Sequence, residues 1–237
     1  MRAAVVTVGD ELLSGETINT NAAWLGRELT ERGVSVERVT VVPDRVADIA
    51  RVVNEYHAEY DAVFVTGGLG PTHDDVTMEG VAAAFGRDLE ASEAVREQLT
   101  EEGGYAREDL AEGTTHVPAE ARPLHNEAGV APGCVIGSTY VLPGVPEEMK
   151  AMFEDVAAEF EVDGGGPHVR TVETPEPESA LLDRLRELRE RFDVTVGSYP
   201  GGTVRIRIRG SEEESVEAAA GWLRERVETV DGENGSA

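Results

Sequence analysis

Scarcity is the first information in this 237-residue chain: one cysteine, one lysine, and 21 basic residues against 47 acidic ones. A lone cysteine, Cys134, excludes an intrachain disulfide framework and any multi-cysteine metal centre. It sits in an apolar stretch, where a free cysteine acts as a small buried hydrophobe. Lys150 is the single lysine, the other basic residues are arginine, and the formal net charge is −26. Such a surface repels nucleic-acid phosphates, so a nucleic-acid partner is not expected, and an electrostatic grip on DNA least of all. Runs of 18 apolar residues are missing, as is an N-terminal basic segment followed by an apolar core. The expectation is a soluble, cytoplasmic protein with no membrane partner.

Hydrophobic residues make up 40% of the chain, enough for a packed core in one large domain or two smaller ones. The acids are spread over predicted helix faces rather than gathered in a tail. Spread acidity with almost no lysine resembles proteins of salt-loving organisms, where salt screens the self-repulsion.

Arg2 to Val8 is a β-branched apolar run and a predicted strand. A polar loop, Gly9 to Asn21, follows, and Asn19 or Thr20 is placed to cap a helix through Trp24, Leu25 and Leu29. Val34 to Val42 reads as a second strand, and Val46, Ile49, Ala50 and Val53 lie at helical spacing. Ala62 to Val65 is a third strand that breaks into Thr66-Gly67-Gly68-Leu69-Gly70-Pro71-Thr72-His73-Asp74-Asp75, before a helix over 76–85. This β-α-β-α-β order predicts an α/β domain with a doubly wound, mostly parallel sheet. Cys134 to Ile136 and Thr139 to Leu142 read as a hairpin about Gly137-Ser138, and Pro146 opens a helix to about Phe160. The stretch from Ala106 to Val130 reads as a strand edge and a loop.

Gly164-Gly165-Gly166-Pro167 is the clearest linker. It divides residues 1–163 from a small α+β domain over 168–230 with the pattern β-α-β-β-α, loosely KH-like. Residues 231–237 read as a disordered tail. On the strand from Val204 to Ile208 the residues Arg205, Arg207 and Arg209 share one face. That face either binds phosphate or RNA, or forms cross-strand ion pairs on a solvated sheet; the many surrounding acids favour the pairs.

Strand, glycine turn and helix in succession place 66–75 at the carboxyl end of the sheet, where open α/β folds bind ligands. Glycines let backbone N–H groups approach an anion, although the same loop also suits a plain tight turn. With no lysine in the loop a Walker A site is excluded, and no nucleophile-elbow spacing is present. The loops 9–21 and 66–75 leave adjacent parallel strands and should converge, bringing together Asp10, Glu11, Ser14, Asn19, Asn21, Thr66, Thr72, His73, Asp74 and Asp75. Asp10 and Asp75 each follow a strand end, the positions preferred for ligands of Mg²⁺ or a similar divalent metal. Leu142-Pro143-Gly144 before a helix is either a second anion nest or a turn.

Gly9-Asp10-Glu11-Leu12-Leu13-Ser14-Gly15, Asn19-Thr20-Asn21, the loop 66–75 and Leu142-Pro143-Gly144-Val145-Pro146-Glu147-Glu148-Met149 fall in one order. Together they closely resemble the N-terminal region of the CinA family, in the molybdopterin-binding superfamily that includes MogA, MoaB and part of MoeA. The resemblance covers about 1–160, and 170–230 looks like the small domain that follows. It implies a MogA-like fold and a homo-oligomer. CinA's C-terminal domain, which deamidates nicotinamide mononucleotide, would need over a hundred further residues, so no deamidase activity is expected.

The resemblance further implies metal-dependent hydrolysis of ADP-ribose to AMP and ribose 5-phosphate, or binding and adenylylation of molybdopterin. Its essential aspartate aligns with Asp75. In the hydrolytic version Gly67, Gly68 and Gly70, with Thr66 and Thr72, surround the phosphate, Asp10 and Asp75 hold the metal, and Asp74 or His73 is the base. Asn19, Asn21, Asn126, Gly129 and Gly144 join the ligand site. Asp74 stands where the MogA-like loop has arginine, which speaks against an anionic pterin phosphate. A non-catalytic nucleotide-binding module is the third reading.

Overall fold

The structure is a computed structural model that describes residues 1–101, 113–161 and 166–230. The expected tail at 231–237, Gly164 and Gly165 of the linker, and the first residues of the 106–130 stretch lie outside the described residues. The chain divides into two compact units, Met1–Gly165 and Gly166–Ala237.

In the first unit the elements are β1 (Arg2–Val8), α1 (Asp10–Ser14), α2 (Thr20–Glu31), β2 (Ser35–Val42), α3 (Val46–Glu59) and β3 (Ala62–Gly67). They continue with α4 (Thr77–Phe85), β4 (Leu89–Ala91), α5 (Glu93–Glu101), β5 (His116–Pro118) and β6 (Arg122–Leu124). The last are β7 (Gly133–Ile136), β8 (Thr139–Pro143), α6 (Pro146–Glu154) and a 3₁₀ turn at Ala157–Phe160. The main sheet has the order β2-β1-β3-β8-β7-β6. Its first four strands are parallel, and β7 and β6 extend it antiparallel.

Both faces of this sheet are covered, which is why β1 and β3 read as unbroken apolar runs. Side chains alternate across a strand. Ala3 and Val5 of β1 and Phe64 of β3 therefore join Leu25 and Leu29 of α2 and Met149 and Phe153 of α6. Ala4, Val6, Val63 and Val65 point the other way, onto Ile49 and Val53 of α3 and Val81 of α4. The first layer is anchored by Phe64, stacked on Tyr140 at 5.2 Å between ring centroids and tilted against Phe160 at 4.9 Å. Burying a side chain such as Phe64 contributes roughly 1.5–3 kcal/mol.

Local signals place most element ends. Asn19 caps α2, its Oδ1 accepting the Ala22 N–H at 3.1 Å. Gly137, at φ 57°, turns the β7–β8 hairpin. Two boundaries differ from expectation. The helix from Pro146 stops at Glu154 and gives way to the 3₁₀ turn. The loop expected after β1 begins with the short helix α1, whose N-terminal flank, Gly9, offers no capping side chain to announce it.

The second unit holds β9 (His168–Thr174), α7 (Glu178–Arg191), β10 (Thr195–Tyr199), β11 (Val204–Gly210) and α8 (Glu213–Arg224). Its antiparallel sheet has the order β10-β11-β9. Val204, Ile206 and Ile208 of β11 pack on Leu181, Leu185 and Leu188 of α7 and Val216, Ala219 and Leu223 of α8. Among the described residues no helix is long and apolar enough to cross a membrane.

Candidate functional site

The parallel register aligns the carboxyl ends of β1, β3 and β8: Thr7 lies beside Thr66, and Gly67 beside Pro143. Three chain segments leave from these ends and meet. Gly144 approaches β3 so closely that a Cβ there would lie 3.2 Å from the Gly67 carbonyl carbon. Asn21 ties the same backbone to α2, its Nδ2 donating to the Gly144 carbonyl at 2.7 Å.

The glycine loop is closed by its own aspartate. The Asp75 carboxylate accepts from the Thr72 N–H at 3.3 Å and from the Thr72 hydroxyl through Oδ2. It lies against the loop backbone: a Cβ on Gly68 would overlap Asp75 Oδ1, and one on Gly70 would fall 2.7 Å from Oδ2. Neither glycine has a positive φ. Close approach therefore requires these glycines, and the anion they accommodate here is the Asp75 carboxylate. Gly67 serves a different contact, with Val8 and the Thr77 side chain at the start of α4.

Beside this loop lies a cavity of about 680 Å³, within the range of small-molecule sites. Its walls are Val8, Gly9, Glu11, Asp44, 67–71, Asp74, Asp75, Thr114, Val130, Ala131, 143–145 and Glu148. Five carboxylates thus line it, and among the described residues no lysine, arginine or histidine does. A smaller cavity of about 280 Å³ flanks the loop, lined by Thr72, Asp75, Glu79 and His116 among others.

The expected site residues distribute unevenly. Gly67, Gly68, Gly70, Asp74, Asp75 and Gly144 all line the larger cavity. Asp10 does not: its backbone N–H donates to Asp44 Oδ2 at 2.8 Å, and Glu11 and Asp44 supply the cavity carboxylates at that wall. The reason is rotational phase, since α1 turns successive side chains by about 100° and presents the second residue rather than the first. Thr66 is buried in β3. Asn19 is committed to structure at both ends, its Nδ2 donating to Thr7 Oγ1 at 2.9 Å while Oδ1 caps α2. Thr72 borders the smaller cavity and secures both aspartates, with Oγ1 2.7 Å from Asp74 Oδ1. That hydrogen bond, with the Asp74 backbone N–H, holds the exposed Asp74 carboxyl below the usual carboxylate range. His73 projects into solvent, its side chain 99% exposed.

Asn126 leads to a residue not selected from the sequence. Its Nδ2 donates to the Ala131 carbonyl at 2.9 Å and to Glu148 Oε2 at 2.8 Å, fixing Glu148 in the cavity wall. A Cβ on Gly129 would collide with both partners, 2.5 Å from Glu148 Oε2 and 2.7 Å from Asn126 Nδ2. The Oδ1 atoms of Asn21 and Asn126 are buried without a partner among the described residues. Each marks a place where a donor belongs, because an unpaired buried acceptor carries its full desolvation penalty. The spacing of Pro146 and Glu148 offered one signal for Glu148, two residues inside an N-terminal helical turn that points at the sheet end.

Cys134 takes no part. It is fully buried on β7, with Sγ 3.8 Å from Met78 Sδ, and burial pushes its thiol up to about 12. The folded chain is expected to resist iodoacetamide at pH 8 for hours and to be alkylated within minutes in denaturant. Stoichiometric labelling of the folded chain by mass spectrometry would contradict this burial.

Residues 4–161 match the family model described as "Probable molybdopterin binding domain", and residues 167–231 match that of "FAD synthase, middle domain". The first match spans most of the chain, which therefore belongs to the molybdopterin-binding domain family. Within it the chain is CinA-like. The CinA protein of Thermoplasma acidophilum, described as having unknown function, shares its fold with a TM-score of 0.62. That match is at 38% identity, covering 67% of this chain and 97% of that one. A CinA-like protein of Frankia casuarinae is 36% identical over 241 residues, 92% of this chain and 55% of that protein. A protein of Archaeoglobus fulgidus is 38% identical over 227 residues, 95% of this chain and 97% of that one.

Proposed function

We propose that the first unit hydrolyses the pyrophosphate of an ADP-ribose-like nucleotide with a divalent metal ion as its resident cofactor. The observation that carries this reading is a cavity walled by a glycine loop and five carboxylates with no cationic side chain among its described residues. A phosphate entering such a cavity is repelled unless a cation accompanies it. No three His, Cys, Asp or Glu residues cluster tightly enough among the described residues to hold a metal alone. The oxygen donors that line the cavity suit a hard ion such as Mg²⁺, which commonly binds through one or two carboxylates and completes its shell with water and substrate phosphate. Asp75 would hold it, with Glu11, Asp44 or Glu148 as the second carboxylate. Once bound, the ion supplies Lewis-acid polarisation of a phosphoryl oxygen.

The chain's own groups do the rest. Asp75 stays fixed through Thr72, so the loop meets the ligand already organised. Asp74, held ionised by Thr72, accepts a hydrogen bond from water and orients it; its lowered pKa makes it a weak proton store. Water attacks one phosphorus, the bridging P–O bond breaks, and AMP and ribose 5-phosphate leave. Glu148, braced by Asn126, closes the opposite wall.

The match of residues 4–161 to a molybdopterin-binding model favours a second reading, in which the same cavity binds or adenylylates molybdopterin. The assay that separates them is AMP release from ADP-ribose in molar KCl with Mg²⁺, Mn²⁺ or Co²⁺. Metal-dependent AMP supports hydrolysis. A folded protein that releases none but binds molybdopterin overturns it in favour of the second reading. Failure of every nucleotide and pterin to raise the melting temperature leaves a module that does not use this cavity.

A further inference from the structure

On the second unit, β11 runs between β10 and β9 with its apolar residues turned onto α7 and α8. Among the described residues no helix or strand of the unit packs on the opposite face of this sheet. Down its centre stand Arg205, Arg207 and Arg209, flanked by Tyr199, Gly197 and Thr195 on one side and Glu173, Thr171 and Val169 on the other. The ion pairs expected from the sequence are not there. None of the three guanidinium groups makes an ion pair or hydrogen bond with the described residues, and Glu173, directly across from Arg205, does not engage it.

Acids are not scarce in this unit. Arg170 binds Glu213 and Glu217, Arg184 binds Glu176, and Arg186, Arg224 and Arg226 each have a carboxylate. The arginines of β11 stay unpaired because the helices that bear most of those acids lie behind the sheet. An unneutralised basic column on a chain of net charge −26 is a local reversal of sign. Next to it, Tyr199 is 51% exposed and lies flat over Gly197, where a Cβ would come within 2.9–3.1 Å of its phenol end.

We propose that this face docks single-stranded RNA. Alternate residues of a strand repeat at roughly 7 Å, so the three guanidiniums form an extended row of phosphate donors. A flat, exposed tyrosine beside them gives a base a surface to stack on, which a duplex, with its bases already stacked, does not use. Thr171 and Glu173 offer partners to 2′-hydroxyls on the same face, whereas the Thr195 hydroxyl already donates to the Arg209 carbonyl at 3.2 Å. An acidic peptide suits the face less well, since it brings no base to stack on Tyr199. Of the nine residues named on this face only Glu173 is acidic, and salt screens charges more than about 8 Å away.

The test uses the full chain, a fluorescein-labelled ten-nucleotide oligouridylate and fluorescence anisotropy, over KCl concentrations at which circular dichroism shows the chain folded. Three phosphate contacts predict a log–log salt slope of about −2. The triple variant R205Q/R207Q/R209Q should flatten that slope and weaken binding at least ten-fold, and Tyr199→Ala should weaken it several-fold while leaving the salt slope in place. Arg205, Arg207 and Tyr199 are exposed and Arg209 is half-buried, and unchanged melting temperatures would exclude misfolding. Absence of binding by the wild type, or equal binding by the triple variant, overturns the proposal. So does tighter binding of oligothymidylate, or displacement of the RNA by polyglutamate at equal charge concentration, the latter marking a docking face for acidic protein.

Discussion

Replacement of Asp75 by asparagine is expected to lower metal-dependent AMP release by about 10²–10³-fold, the scale seen when one preorganised electrostatic group is lost. Asparagine keeps the shape of the side chain and an oxygen that can accept from the Thr72 N–H and hydroxyl, so the loop should stay closed. What disappears is the negative charge that would share a cation with the ligand. Melting temperature without ligand should therefore change little, while the stabilisation by ligand plus metal falls away. At a hundred-fold excess over Kd that stabilisation is about 2.7 kcal/mol. A variant that retains activity within a few-fold would confine Asp75 to closing the loop. It would then direct attention to Glu11, Asp44 and Glu148, the other cavity carboxylates.

Gly68→Ala should do damage of a different kind. Its methyl group would overlap Asp75 Oδ1 and come 3.3 Å from the Asp75 Cα, so either the carboxylate or the loop must move. Overpacking of this sort costs about 1–3 kcal/mol, measurable by urea unfolding, and activity should fall with it because Asp75 is displaced. Coupling to Asp75 is the decisive measurement. In an Asp75→Ala background the oxygen that blocks the methyl is gone, and most of the stability loss from Gly68→Ala should vanish. An undiminished loss in that background would mean that the glycine answers to some other constraint. Gly70→Ala, whose Cβ would lie 2.7 Å from Oδ2 and 3.5 Å from the Asp75 carboxyl carbon, should show the same coupling more weakly.

Much of the architecture was legible because the forces that select elements act locally. The unbroken apolar runs of β1 and β3, the Asn19 cap, Gly137 in the hairpin and the alternation along β11 each act through neighbours a few residues away. So the α/β unit, the converging loops and the small α+β unit follow from pattern and turn chemistry. The site was legible only as a region. No periodicity distinguishes Asp10 from Glu11 until the backbone coils into α1 and sets which of them faces inward. Nothing local links Asn126 to Glu148, 22 residues apart, because they meet only when β8 and α6 bring the chain back across the sheet end. The glycines of the loop announced an anion, and folding showed that the one they hold is Asp75 itself. On β11, the alternating arginines and their many acidic neighbours pointed to ion pairs. Placement of α7 and α8 on the far face separated most of those charges from them. Sequence alone determined most of the elements, though not the short helix α1, since hydrogen bonding and side-chain alternation are properties of short segments. Only the tertiary structure decided which charges meet, because strand order and helix phase set distances between groups remote along the chain.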